Sequence, residues 1–264
     1  MYLLKRISKL KYFAGLWIGL VFILIHLFTS YSDLNGQVTG NQYFFTPFTE
    51  WIGFNTNAWT ILYYAALPLL CALTFNLMSS DDLKSGFLWH VITKTGLQRY
   101  LSKQYCVTVI GGFITAALPL LLDFLGLAVF LPIIKPDVIL NSNLFVSPST
   151  TYFSQLFYQH PFQLMLIYCL LAGLLGSCYA VLALTVAIWT NKQFPAIATV
   201  FILTLCCNVL AASFPKMFFS PILIVIGVIP IIIPSFYWLV GLLLTTLIVT
   251  FIGHYLGGQR LVNH

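Results

Sequence analysis

Charged residues are scarce in this sequence of 264 residues. Asp, Glu, Lys and Arg make up 7% of it, while 60% of the residues are hydrophobic and the mean hydropathy is +0.95. A soluble domain of this length would carry about 25% charged residues, because its surface must be polar. The composition therefore excludes soluble, fibrous and disordered proteins and indicates an integral membrane protein. Spanning helices of about 20 residues would use half or more of the chain, which leaves no room for a soluble ATPase domain or another large catalytic domain.

Catalytic motifs are missing as well. There is no His-Glu-x-x-His pattern, and the one glutamate, Glu50, falls in a predicted loop, so glutamate-dependent metalloprotease chemistry is excluded. No glycine-rich phosphate-binding loop is present, and Ser177 lacks the flanking glycines of an exposed nucleophile. Together with Gly173 and Gly176, Ser177 is instead typical of a close contact between two helices. We expect a chain that is not itself an enzyme and that binds no metal or cofactor.

Hydrophobic windows predict an all-α membrane protein with six transmembrane helices. Their approximate limits are 12–29, 58–78, 105–131, 161–190, 196–212 and 236–256. Three prolines interrupt the apolar segment 217–235, which favours a re-entrant hairpin over 213–235 before the last span, with a seventh span as the alternative. Alternating apolar and basic residues over 1–11 predict an amphipathic helix on the inner membrane surface.

Basic residues lie almost entirely on one side of this arrangement. Of the 12 Lys and Arg residues, all but Lys135 and Lys216 fall in the amino-terminal segment, in 79–104, in 191–195 or in the carboxyl-terminal tail. Because cytoplasmic loops are enriched in Lys and Arg, this asymmetry predicts a plasma-membrane protein with both termini in the cytoplasm.

Two long segments, 30–57 and 132–160, would then face outward, and both are rich in aromatic residues. Their pattern predicts an aromatic belt at the level of the lipid headgroups. The alternative is a lid or vestibule that contacts an amphipathic substrate. The aromatic residues concerned are Tyr43, Phe44, Phe45, Phe48, Trp51, Phe54, Tyr152, Phe153, Phe157 and Tyr158.

Asp123 is the only carboxylate inside a predicted span. A charge in the hydrocarbon costs about 3 kcal/mol or more, so Asp123 either belongs to a proton or substrate path or reaches the outer interface from the end of its helix. Asn76 and Asn208 are candidates for hydrogen bonds between helices or for the same path. His26 and His254 are placed near span ends, where an interfacial histidine needs no special role.

The cytoplasmic segment 79–104 predicts a short amphipathic helix, a stop at Gly96 and a basic stem. Phe87, Leu88, Val91 and Ile92 form its apolar stripe. One interpretation is a helix held on the membrane surface by anionic lipid. The other is a docking element that fits the groove of a cytoplasmic partner.

The whole layout resembles the permease subunits of ABC-2 type exporters, especially the small Gram-positive forms encoded as separate chains. The likeness rests on the inner-surface helix, the six spans, the broken hairpin before the last span, and the loop between spans two and three. That loop has an acidic residue, a glycine a few places on and a basic stem, here Asp82, Gly86, Lys94, Arg99 and Lys103. The resemblance implies that the loop is a coupling helix bound to a separate ATPase, through Asp82, Gly86, Phe87, Val91, Lys94 and Arg99.

The resemblance also implies a function. The chain would be the transport subunit of an exporter that moves an amphipathic peptide, lipid or drug-like molecule, with ATP and Mg at the partner ATPase. Further partners would be a second permease copy or a related permease, and membrane lipid, but no nucleic acid. Spans one, two and five would line the path, with Asn76, Asp123 and Asn208 as candidate path residues. The alternative is a non-transport immunity or sensor protein that binds a peptide or lipid at its outer loops.

Overall fold

The computed structural model describes residues 10–35, 45–55, 57–74, 86–139, 141, 144, 146–214, 220–223, 225–228 and 233–263. Within these ranges the chain is helical and contains no strand. A 3-10 turn over Leu10–Phe13 leads into α1, and the α-helices follow in this order: α1 (Ala14–Asn35), α2 (Pro47–Glu50), α3 (Ala58–Leu73), α4 (Phe87–Thr95), α5 (Leu97–Phe130), α6 (Ser154–Gln159), α7 (Pro161–Thr190), α8 (Gln193–Ser213) and α9 (Phe236–Asn263).

Five helices among the described residues, α1, α5, α7, α8 and α9, are long and apolar enough to cross a membrane. They correspond to five of the six predicted spans and confirm an all-helical, membrane-embedded protein. The remaining predicted span, 58–78, corresponds to α3, which has 16 residues and contains Pro68. This length is below the roughly 20 residues that a straight spanning helix needs, so a sixth span stays a prediction.

Several predicted features lie partly or wholly outside the described residues. Asn76 and Asp82 are among them, as is most of the amino-terminal segment 1–11. Only parts of the predicted hairpin 213–235 are described, and these include a turn over 221–223. The inner-surface helix and the hairpin therefore stay predictions.

Small residues allow α5 and α7 to approach closely. A Cβ built on Gly112 would lie 2.6 Å from the carbonyl oxygen of Gly176, and one built on Gly176 would lie 2.5 Å from the Cβ of Ala116. The Ser177 hydroxyl donates to the carbonyl oxygen of Val109 across the same contact, at 2.9 Å. The predicted helix contact at Gly176 and Ser177 is confirmed.

The helix bundle has an end that carries α4 and an opposite end that carries α2 and α6. At the α4 end, where α7 and α9 terminate, the indole N–H of Trp189 donates to the Gly253 carbonyl oxygen at 3.0 Å. His254 is buried here, with Nε2 3.2 Å from the carbonyl oxygen of Leu101, so the prediction of an interfacial His254 is wrong. The opposite end, which carries α2 and α6, is called the α2/α6 end below.

Aromatic residues of the predicted outer segments lie inside the bundle at the α2/α6 end. Phe48, Trp51 and Phe54 are buried, and the rings of Phe54 and Phe157 stack with their centroids 4.5 Å apart. Burial removes more water from an aromatic ring than an interfacial position does. The predicted aromatic belt is therefore wrong for these residues, whereas Phe153 is exposed.

Candidate functional site

Asp123 lies on α5, two turns before the end of the helix, and its side chain is fully buried. Its Oδ1 atom is 2.7 Å from Nδ1 of His26 on α1. Its Oδ2 atom accepts a hydrogen bond of 3.1 Å from the backbone N–H of Ile52. One carboxylate thus connects α1, α5 and the segment that follows α2.

Local structure fixes the Ile52 amide in this position. Thr46 caps α2 and forms a reciprocal capping box with Thr49, and Pro47 occupies the first turn, where no N–H is needed. The chain then turns at Trp51, whose indole N–H donates to the carbonyl oxygen of Leu120 on α5, at 2.8 Å. The buried indole therefore anchors the turn that presents the Ile52 N–H to Asp123.

The His26 ring has polar contacts at its two nitrogens and an aromatic contact at its edge. Its Nε2 atom lies 3.1 Å from the Ser30 hydroxyl one turn further along α1, and the ring edge meets Trp59 with centroids 6.1 Å apart. Both ring nitrogens are therefore engaged although His26 is 0% exposed. A buried ionisable pair persists in an apolar interior only when such contacts offset the loss of hydration.

A second carboxyl group lies near this pair. Glu50, at the end of α2, accepts a hydrogen bond from the Asn55 amide at 3.3 Å. Burial raises the pKa of Glu50, while His26 and the Asn55 hydrogen bond oppose the rise. The cluster therefore combines one imidazole with two carboxyl groups.

The observed positions of His26 and Asp123 differ from an interfacial location. His26 is not an interfacial residue of α1 but the buried partner of Asp123, and Asp123 is covered by protein and does not reach the interface. A role of Asp123 in a transport path stays a prediction.

The α4 helix is a second, separate site. Leu88 and Val91 are buried in a small apolar cluster with Tyr100 and Leu101 of α5 and Ile188 of α7. The opposite face is exposed and carries Trp89, His90, Thr93 and Lys94. This amphipathic arrangement follows the predicted apolar stripe at Leu88 and Val91, whereas the Phe87 side chain lies outside the described part of the chain.

Glycines delimit α4 at both ends. Gly86 precedes it with φ +67° and Gly96 follows it with φ +80°, backbone regions that a residue with a Cβ rarely adopts. The N–H of Gly96 caps the carbonyl of Ile92, and α5 begins at the next residue. The basic residue Arg99 is consequently the third residue of α5 rather than part of a separate stem, and it is exposed.

Asn208 marks a third location, on α8. Its side-chain oxygen accepts a hydrogen bond of 2.5 Å from the Ser220 hydroxyl. It also lines a groove of about 260 Å³ between α3 and α8, whose other walls include Ala66 and Thr204. The structure therefore brings together neither Asp123 with Asn208 nor either of them with α4.

Within the described residues, no group of three or more His, Cys, Asp or Glu side chains could hold a metal ion. Comparison with protein-family models, curated proteins and solved structures finds no match to this chain.

Proposed function

We propose that this chain is the membrane permease subunit of an ABC exporter in the plasma membrane, with both termini in the cytoplasm. The observation that carries the proposal is α4, a short helix between α3 and α5 with one buried apolar face and one exposed face at the end of the bundle. ATP hydrolysis would be supplied by a separate cytoplasmic ATPase, which binds ATP and Mg.

The exposed face of α4 has the chemistry of a protein-binding surface. Trp89 is 48% exposed, and His90 and Lys94 are exposed beside it. Exposed tryptophans flanked by polar groups are frequent anchors of protein interfaces, because a large ring loses much water when it enters a pocket. This face is our candidate for the ATPase contact, which would also include Asp82 and Phe87.

The buried face of α4 supports a role in mechanical coupling. Val91 packs on the first turn of α5, and α5 is helical over all 34 residues to Phe130, with Pro119 inside it. A displacement of α4 would therefore move the start of a long helix. Since α5 carries Asp123 near its other end, the displacement would also reach the connection to α1.

The groove between α3 and α8 is the candidate transport path. It is almost entirely apolar, with Thr204 and Asn208 as its polar members. An amphipathic peptide, lipid or drug-like molecule suits such a surface better than an ion does. A second permease copy, or a related permease, would face this groove across a dimer interface.

Co-purification from the native cell tests the proposal. With a tag on the carboxyl-terminal tail and extraction in mild detergent, we expect a soluble ATPase in equal stoichiometry. Trp89→Asp should abolish its recovery, because a carboxylate would replace the exposed ring. Gln259→Asp is the matched control, since it adds the same charge at an exposed position of α9 outside α4.

Two results would contradict the proposal. One is recovery of the chain without an ATPase under conditions that preserve a known transporter complex. The other is equal loss of the ATPase in Trp89→Asp and Gln259→Asp, which would show that any added charge at this end disturbs the protein.

A further inference from the structure

A cleft of about 540 Å³ opens at the α2/α6 end, between residues 148–159 and the segment 233–236 that leads into α9. The two segments are joined by a hydrogen bond of 2.9 Å from the Ile233 N–H to the Ser149 carbonyl oxygen. The ring of Phe236 also contacts Tyr152 and Phe153, with centroid distances of 5.7 and 5.2 Å. The cleft thus has fixed walls, and its volume lies within the range of ligand-binding pockets.

Phe153 occupies an unusual backbone conformation at the edge of this cleft. Its φ of 55° and ψ of 40° place it in the left-handed region, which is unfavourable for a residue with a bulky side chain. The conformation leaves the ring 45% exposed, whereas its neighbours Thr151 and Tyr152 are buried. Such strained residues concentrate at binding sites, where the conformation aims a side chain at a ligand.

The described residues that line the cleft carry no charge and offer several neutral hydrogen-bonding groups. Gln155 and Gln159 lie one turn apart on α6 and are both exposed, and each amide can donate and accept. The hydroxyl oxygens of Thr151 and Tyr152 are buried without a hydrogen-bond partner among the described residues. Burial raises the pKa of Tyr152 to about 12, so its hydroxyl stays a neutral donor.

These properties select the chemistry of the ligand. A charged ligand would lose its hydration without finding a counter-ion among the described residues of the walls. A peptide group has one donor and one acceptor, which match the amides of Gln155 and Gln159, and the exposed ring of Phe153 suits an apolar side chain. We propose that this cleft binds an uncharged peptide segment with apolar side chains. The site requires no ATPase, so it goes beyond the exporter function and is tested separately from it.

Peptide binding to the purified chain alone tests this inference. The probe is a mixture of acetylated and amidated pentapeptides composed of Gly, Ser, Asn, Leu and Phe, and retained peptides are identified by mass spectrometry after gel filtration. We expect retention by the native protein and an at least tenfold loss in the double variant Gln155→Ala/Gln159→Ala. Gln163→Ala is the control, because Gln163 is exposed on α7 one turn beyond Gln159 and does not line the cleft.

A second variant separates binding from folding. Phe153→Gly removes the ring but also relieves the left-handed backbone, so we expect an unchanged or higher Tm together with an at least tenfold loss of retention. A lower Tm with unchanged retention would show that the ring is structural and would overturn the proposal. So would absence of retention by the native protein, equal retention by all variants, or stronger retention of maltopentaose or of Asp-containing pentapeptides.

Discussion

Nδ1 of His26 and Oδ1 of Asp123 lie 2.7 Å apart, although 97 residues separate them along the chain. The contact connects α1 to α5, and the second carboxylate oxygen of Asp123 holds the Ile52 amide of the segment after α2. Three elements at the α2/α6 end therefore depend on one buried carboxylate. Because both side chains are shielded from water, neither partner can be removed without leaving the other uncompensated.

We expect His26→Leu and Asp123→Leu each to destabilise the protein by about 3 to 5 kcal/mol, since either change leaves one ionisable group buried without its ionisable partner. The double variant should lose less than the sum of the two single changes, because it removes both ionisable groups together, although the Ile52 N–H still loses its acceptor. The free energy of unfolding in detergent measures the coupling. Strict additivity of the two losses would show that the pair contributes no interaction.

The pair illustrates what sequence can and cannot predict here. The sequence marks Asp123 as the only carboxylate of the predicted spans, but it predicts an interfacial His26 because the predicted span ends at residue 29, whereas α1 continues to Asn35. When α1 is taken to end at Asn35, His26 and Asp123 lie at similar distances from the ends of their helices. Sequence alone could therefore indicate that the two side chains lie at the same level of the bundle. The Ile52 amide could not be found, because a backbone N–H has no sequence signature.

Gly176→Ala should destabilise the contact between α5 and α7 by about 1 to 3 kcal/mol, the usual cost of overpacking. The new Cβ would lie 2.5 Å from the Cβ of Ala116 and 2.7 Å from the Gly112 carbonyl oxygen, so the two helices must separate. Gly241→Ala is the control: apart from its chain neighbours and the backbone of its own helix, no atom of the described residues lies within 4 Å of its Cβ position, and the change should be neutral or stabilising by up to about 1 kcal/mol. Equal Tm values for the two variants would contradict the close contact.

Sequence was a better guide to this helix contact than to the aromatic segments. Small residues at helical spacing in a membrane helix indicate that the backbone of another helix approaches closely. An aromatic residue such as Phe54 or Trp51 suits either the interface or the interior, and only the space between the helix ends decides the outcome. The stacking of Phe54 on Phe157 depends on two segments that are distant in sequence.

Glu50→Gln should raise Tm at neutral pH and weaken its dependence on pH. The pKa of Glu50 is raised by burial, so the folded state binds more protons than the unfolded state and stability falls as the pH rises through the raised pKa. Below the ordinary pKa of 4.5 both states are protonated, and the native protein and the variant should have similar stability. Thermal unfolding between pH 4 and 8 checks this, and a variant curve that parallels the native one would contradict it.

Gly96→Ala should cost about 1 to 3 kcal/mol, because φ +80° with ψ 149° is a conformation that glycine alone adopts readily. The strain would be relieved by moving α4 relative to α5, so we expect a lower Tm and weaker recovery of the ATPase in the co-purification experiment. Thr95→Ala, at the adjacent residue, is the control. Unchanged Tm and unchanged ATPase recovery in Gly96→Ala would contradict the role of this glycine in positioning α4.

Ala66→Phe tests the proposed transport path, because the ring would fill part of the 260 Å³ groove between α3 and α8. We expect slower efflux of a neutral lipophilic fluorescent dye from cells that express the complex, with normal recovery of the ATPase because α4 is untouched. Ile202→Phe is the matched control, since Ile202 is exposed on α8 and does not line the groove. Equal efflux in the two variants would place the path elsewhere, whereas selective slowing by Ala66→Phe would assign Asn208 and Thr204 to the surface that the substrate passes.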